Sequence, residues 1–131
     1  MKFLFDTNIC IAILKNSELP LIQKVRSHQP TDFALCSVVK AELLYGARKS
    51  QKVEKNLSLL GKLFEQFSSL PFDDHAAGFY GTNRAILERA GTPIGEADLL
   101  ISSIALAYDL AVLTRNYSEF VRVPGLKVET W

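Results

Sequence analysis

The chain has 131 residues, 48% of them hydrophobic and 22% charged, and its 15 Lys and Arg against 14 Asp and Glu leave a formal net charge of +1. At about 100–200 residues per domain this is one domain, long enough to fold without a disulfide or structural metal, and high apolar content with near-zero charge excludes a disordered chain. The even balance also excludes a uniformly basic protein that coats nucleic acid.

Phe3-Leu4-Phe5 is a short apolar run ended by Asp6-Thr7-Asn8, the pattern of a strand buried on both faces of a parallel sheet. Asp6 comes too early for a signal-peptide core, and no window approaches about 18 uninterrupted apolar residues, so the sequence predicts a cytoplasmic protein that does not engage a membrane. Helical spacing over residues 9–14 and 19–25, interrupted by Asn16-Ser17-Glu18 and Pro20, predicts two short helices. Cys10 and Cys36 lie in apolar runs with no second Cys or His at ligand spacing, so both read as buried reduced thiols. Phe33-Ala34-Leu35-Cys36 predicts a second strand, with Ser37 as N-cap of a helix over 38–48 whose Val39, Leu43 and Ala47 form the buried stripe.

Over residues 52–67, Val53, Leu57, Leu60, Leu63, Phe64 and Phe67 recur every three or four positions, while Lys52, Lys55 and Lys62 fall among the polar ones. That is an amphipathic helix with a basic face. Ser69-Leu70-Pro71-Phe72 suits an edge strand, because proline removes a ladder donor. Asp73 then caps a helix to about Arg89, which Gly91-Thr92-Pro93 terminates. A further helix starts near Gly95 and is apolar nearly all round from Leu99 to Ala107, so it packs deeply against the sheet. Ala111-Val112-Leu113-Thr114 predicts a buried strand, and residues 126–131 a last one after the turn at Pro124-Gly125. Strands alternating with helices imply an α/β fold: a three-layer α/β/α sandwich around a mostly parallel sheet, formed by one domain spanning 1–131. Ligands of such sheets bind outside the carboxyl ends of the strands, at a switch in strand order.

Acids occur at such positions. Asp6 ends the first strand, Glu42 lies one turn into the helix after the second, and Asp98 stands near the start of the buried helix. Singly, each has an ordinary reading: an N-cap, an exposed helix residue, a first-turn acid favoured by the helix dipole. Together, carboxylates gathered at one rim repel one another unless a cation neutralises them. Oxygen-only ligation suits Mg²⁺ or Mn²⁺, which acidifies a water and holds a phosphate oxygen, the requirement for phosphodiester hydrolysis.

Four segments in order along the chain carry a resemblance: Phe5-Asp6-Thr7-Asn8; residues 39–47 (Val-Lys-Ala-Glu-Leu-Leu-Tyr-Gly-Ala); residues 91–101 (Gly-Thr-Pro-Ile-Gly-Glu-Ala-Asp-Leu-Leu-Ile); and Leu113-Thr114-Arg115-Asn116 with Glu119-Phe120 and Arg122 through Trp131. The chain resembles the PIN-domain ribonucleases, specifically the VapC toxins of bacterial toxin–antitoxin pairs, from end to end. The resemblance implies that Asp6, Glu42 and Asp98 are metal-binding acids and that Thr7 hydrogen-bonds within the site. Where many PIN domains have Asp two residues after the strand-ending Thr, this chain has Asn116, and the nearest acid is Glu119; Asn116 and Glu119 are the candidates for the fourth catalytic position. Thr114 is a candidate supporting hydroxyl. The implied activity is Mg²⁺- or Mn²⁺-dependent cleavage of RNA leaving a 5′-phosphate and a 3′-hydroxyl, the target being tRNA, in the closest motif matches the anticodon stem-loop of initiator tRNA. The implied partners are a VapB-like antitoxin and a second copy of the chain, as a homodimer and a toxin–antitoxin hetero-oligomer.

Further RNA-binding candidates are Tyr45, Arg48, Lys49, Arg84 and Arg115. The basic stretch from Arg48 to Lys62 reads first as a solubilising helix face and second as a backbone contact for RNA. Tyr45, one turn after Glu42, is either a core aromatic or a platform for a splayed base. His28 and His75 have no acid or thiol at ligand spacing and receive no catalytic role. The apolar faces within 9–25 and 53–67 exceed what a core needs and fit a partner groove. Of the alternatives, a phosphoacceptor signalling domain lacks its acceptor, since no Asp lies between Asp32 and Asp73. A catalytically weak or silent RNA- or protein-binding module on the same scaffold stays open.

Overall fold

The strand β1 (Phe3–Phe5) is the middle strand of the sheet, and its composition explains why: Leu4 and Phe5 are wholly buried, so the strand must be covered on both faces. The structure, a computed structural model, describes residues 1–131. Along the chain β1 is followed by α1 (Thr7–Lys15), α2 (Leu19–Arg26), a single 3-10 turn over 30–32, β2 (Phe33–Cys36), α3 (Ser37–Arg48), α4 (Val53–Gln66) and β3 (Ser68–Leu70). Then come α5 (Asp74–Arg89), α6 (Glu96–Ala107), β4 (Ala111–Leu113), α7 (Tyr117–Phe120) and β5 (Lys127–Glu129).

The five strands pair in the order β3-β2-β1-β4-β5, and every pairing is parallel. The chain thus moves outward through β2 and β3, returns across the sheet, and continues from β4 to β5 on the other side of β1. Right-handed crossovers then put α1 to α4 on one face and α5 and α6 on the opposite face, which is the three-layer sandwich. The switch in order falls between β1 and β4, so the crevice opens beyond Phe5 and Leu113.

Packing fixes this arrangement. Phe5 and Phe33 stack in neighbouring strands, with ring centroids 4.8 Å apart and planes 13° from parallel, and Phe67 meets both rings edge-on. Offset and edge contacts of this kind add about 0.5–1.5 kcal/mol each to the burial itself. Ile101, Ile104 and Ala105 of α6 are almost completely buried, and its Ser102 and Ser103 satisfy their hydroxyls on the carbonyls one turn back, at 2.7 Å each. At the opposite end of the sheet from the crevice, His28 stacks on Trp131 at 4.8 Å, and Lys24 lies over the same indole. No helix is long and apolar enough to cross a membrane.

One local expectation is corrected. Ser37 is not the N-cap of α3; it is already helical, Cys36 occupies the cap position without a side-chain cap bond, and the Ser37 hydroxyl accepts from the Phe72 amide at 3.3 Å. The hydroxyl links α3 to the segment after β3 instead. The short α7 has no counterpart in the sequence reading, since four residues are too few to show a period.

Candidate functional site

Asp6 caps α1: its Oδ1 accepts from the Ile9 amide at 3.2 Å. The capping role and the site role coexist, because the other oxygen, Oδ2, accepts a short hydrogen bond from the Thr114 hydroxyl, 108 residues away at the end of β4. The same hydroxyl oxygen accepts from the Asn116 amide at 2.8 Å, which turns the chain sharply after β4. Asn116 then presents its side-chain amide to two acids at once, donating to Asp98 Oδ2 at 3.2 Å and to Glu119 Oε2 at 3.1 Å. On the other flank, Thr7 donates to Glu42 Oε1 at 2.6 Å, tying α1 to α3.

The structure therefore lines the crevice with two hydrogen-bonded groups, Asp6, Thr114, Asn116, Asp98 and Glu119 in one and Thr7 with Glu42 in the other. Each element contributes for a local reason. The helix α1 must start at Asp6 to satisfy its first amides. The helix α6 starts at Gly95 with no side-chain cap, and a Cβ at Gly95 would stand 3.9 Å from Asp98 Oδ2 and 4.0 Å from Glu119 Oε2. Both carboxylates thus sit at the positive end of α6, where a helix dipole favours anions. The turn α7 places Glu119 three residues after Asn116, on the same side of one helical turn.

The charges are crowded. Asp6 is only 4% exposed, and burial holds its carboxyl above the usual range; hydrogen bonds from Thr114, Ile9 and Asn8 oppose the rise, and the charge of Glu42 adds to it. Asp98 is pushed up to about 7, first by burial and then by the hydrogen bond and charge of Glu119 and the charge of Asp6. Glu119 moves the other way, held below its ordinary value by the hydrogen bond from Asp98, by Asn116, by the Gly95 amide and by the Arg122 guanidinium. The two carboxyls titrate together, and Asp98 is the one that holds a proton more readily. As the side chains stand, no three His, Cys, Asp or Glu side chains converge closely enough to cage a metal ion. The carboxylates line the crevice as a row of oxygens.

The basic and aromatic candidates are dispersed. Arg84 lies on α5, bonded to Glu88 and to the Tyr80 hydroxyl, both at 2.9 Å. Arg115, although it follows Thr114 directly, turns to Glu18 at 2.8 Å. Arg48 is exposed at the end of α3, and Lys49, the C-cap residue just past it, lies over the Tyr45 ring. One contributor escaped the sequence reading: Arg122 donates to the Pro93 carbonyl at 3.1 Å and so braces the segment leading into α6 while standing beside Glu119. In the sequence it stands three residues after that acid, within the last segment of the resemblance, with no role of its own assigned.

The PIN domain family model matches residues 3–126. A protein of Shigella flexneri named tRNA(fMet)-specific endonuclease VapC is 38% identical over 131 residues, covering all of this chain and 98% of that one. Among solved structures, DNA-bound VapBC from Salmonella typhimurium superposes with a TM-score of 0.94 at 36% identity, over all of this chain and 98% of that chain. VapBC2 from Rickettsia felis, bound to a DNA fragment from its promoter, gives 0.93 at 34% identity over all of this chain and 99% of that one.

Proposed function

The chain belongs to the PIN domain family, and from that premise and the geometry of the crevice we propose that it is the toxin of a toxin–antitoxin pair, a divalent-metal-dependent endoribonuclease acting on tRNA in the cytoplasm. One observation carries the proposal: acids from four separate elements line the crevice at the switch point of the sheet, and beside Glu119 and Asp6 the Asp98 carboxyl is pushed up to about 7. Such crowding is unfavourable for folding and is relieved by a cation.

The donor set fits Mg²⁺ or Mn²⁺, being oxygen only and anionic. Asp6, Glu42 and Asp98 would hold the ion, with waters completing its shell. Bound there, the ion supplies Lewis acidity toward a water and toward the phosphate under attack. The protein's own groups do the rest. Thr7 and Thr114 fix the rotamers of Glu42 and Asp6, and Asn116 bridges Asp98 and Glu119. Asn116 adds no charge, so Glu119 is the candidate fourth acid; held below its ordinary value, it stays ionised, and a proton given up by Asp98 goes to solvent.

The relative named for tRNA(fMet) supports initiator tRNA as the substrate, and the VapBC complexes support a VapB-like antitoxin as partner. A groove of about 430 Å³ between α1, α3 and α4, lined by Ile11, Leu14, Leu43 and Leu59 and reaching Glu42, is where an apolar antitoxin segment fits. With Asp6, Glu42, Asp98 and Glu119 set aside in the crevice, ten acids remain against fifteen bases, so the outer surface is basic enough to take RNA phosphates.

The test is incubation of the purified chain with total tRNA and Mg²⁺ or Mn²⁺, with the cut ends mapped. Cleavage within an anticodon stem-loop that stops with EDTA, and in Asp6→Asn and Glu42→Gln variants of unchanged circular dichroism, is expected. Retained cleavage in both variants would overturn the assignment.

A further inference from the structure

Tyr45 is 66% exposed, the most exposed of the chain's large hydrophobic side chains, although it stands on a helix whose Val39, Leu43 and Ala47 are buried. Its hydroxyl bonds no other residue, so nothing inside the protein requires a phenol at this position. It follows Glu42 by one helical turn, on the same outward flank of α3. Lys49, one turn further, holds its ammonium 5.1 Å from the centroid of the Tyr45 ring. Beyond it, Arg48, Lys52 and Lys55 are all exposed, with Glu54 the sole acid among them.

We propose that Tyr45 and Lys49 form a nucleotide subsite for the unpaired residue flanking the scissile phosphate. The inference rests on the ribonuclease reading and deepens it. A base stacks on the face of the phenol ring that Lys49 leaves free, and the ammonium, which cannot stack, meets the adjoining phosphate. Order along α3 gives the subsite its direction: reacting phosphate at Glu42, next base on Tyr45, backbone continuing past Lys49 toward Lys52 and Lys55. A stacking platform accepts any base by its π-face, so it selects unpaired strands over duplex without reading sequence. Charge decides between RNA and a protein partner here, since an apolar protein segment gains nothing from the Lys49 ammonium over the ring or from the exposed Arg48, Lys52 and Lys55 beside it in the sequence.

The subsite is tested with a tRNA anticodon stem-loop carrying 2-aminopurine in its unpaired loop, using the full chain and Tyr45→Ala, Tyr45→Phe, Tyr45→Trp and Lys49→Gln variants. Tyr45→Ala is expected to raise KM between about fivefold and a hundredfold with kcat within about twofold, the range that one base–aromatic stack supplies. Phe and Trp restore the wild-type value, and the melting temperature stays unchanged because the ring is exposed. Lys49→Gln is expected to lower the salt slope of binding by about one counterion. Quenching of the 2-aminopurine on binding to Asp98→Asn protein, lost with the additional Tyr45→Ala change, reports the stack without any cleavage. Failure of the wild-type chain to cut RNA would therefore overturn the nuclease reading and leave this arm readable. Wild-type KM and unchanged quenching in Tyr45→Ala would overturn the subsite, as would a Tyr45→Ala chain that binds RNA normally and loses only a protein partner.

Discussion

Asp98→Asn is expected to make the metal-free protein more stable while abolishing cleavage. The folded protein raises the Asp98 carboxyl from 3.8 to about 7, and at about 1.36 kcal/mol per unit the undiscounted cost of ionising it at alkaline pH is roughly 4 kcal/mol. Asp98 is only half buried, and solvent screening reduces this to about 1–2 kcal/mol. An amide at 98 carries no charge and offers Glu119 an N–H where the protonated carboxyl offers an O–H. With about 2.1 cal/mol/K of unfolding entropy per residue, the 131-residue chain should melt about 4–7 °C higher in EDTA at pH 8. The pH dependence has a definite sign. A carboxyl with a raised folded-state value destabilises the fold above that value, so the penalty is complete above about pH 7, shrinks on acidification and vanishes below 3.8. Wild type and variant should therefore converge by pH 4. Saturating Mn²⁺ should reverse the order at pH 8, because only the wild type gains binding energy there. Scanning calorimetry at pH 8 and pH 4, with and without Mn²⁺, measures all three effects. A variant that melts level with or below the wild type in EDTA at pH 8, or whose advantage persists at pH 4, would refute the argument that crowding at this site opposes folding.

Thr114→Val keeps the volume of a fully buried side chain but removes the donor to Asp6 and the acceptor of the Asn116 amide, and should cost about 2–3 kcal/mol in urea unfolding; a loss under about 0.5 kcal/mol contradicts the bridging role. Arg122→Gln should lower cleavage about tenfold at limiting Mn²⁺ with partial recovery at high Mn²⁺, because the brace on Pro93 and the charge beside Glu119 are lost together; an unchanged Mn²⁺ titration would exclude that role. Burial pushes the Cys36 thiol up to about 11 and the Cys10 thiol higher still, so neither should react with iodoacetamide at pH 8 until the chain unfolds. Labelling of the native protein within minutes would show that the core beneath the site opens.

Local information sufficed for much of the fold and for the identity of the acids. The strands at Phe3, Phe33 and Ala111 and the helices between them follow from apolar runs and their periods, and the cap at Asp73 and the stop at Gly91, with φ of 72°, follow from single-residue chemistry. Asp6 and Asp98 were visible as acids at the ends of apolar segments. What a sequence cannot carry is the order in which strands pair, because the β1–β4 contact is bought by the whole sheet and leaves no trace near either strand. That pairing alone puts the Thr114 hydroxyl on Asp6 and lets Asn116 span Asp98 and Glu119. It also decided matters that composition left open: Arg115 turns away to Glu18, and Tyr45, on a helix whose apolar stripe lies elsewhere, faces solvent beside the acids. The near-zero net charge hides an uneven distribution, since charges add in the sequence but act by distance: four of the fourteen acids stand along the crevice, and the remaining ten face fifteen bases.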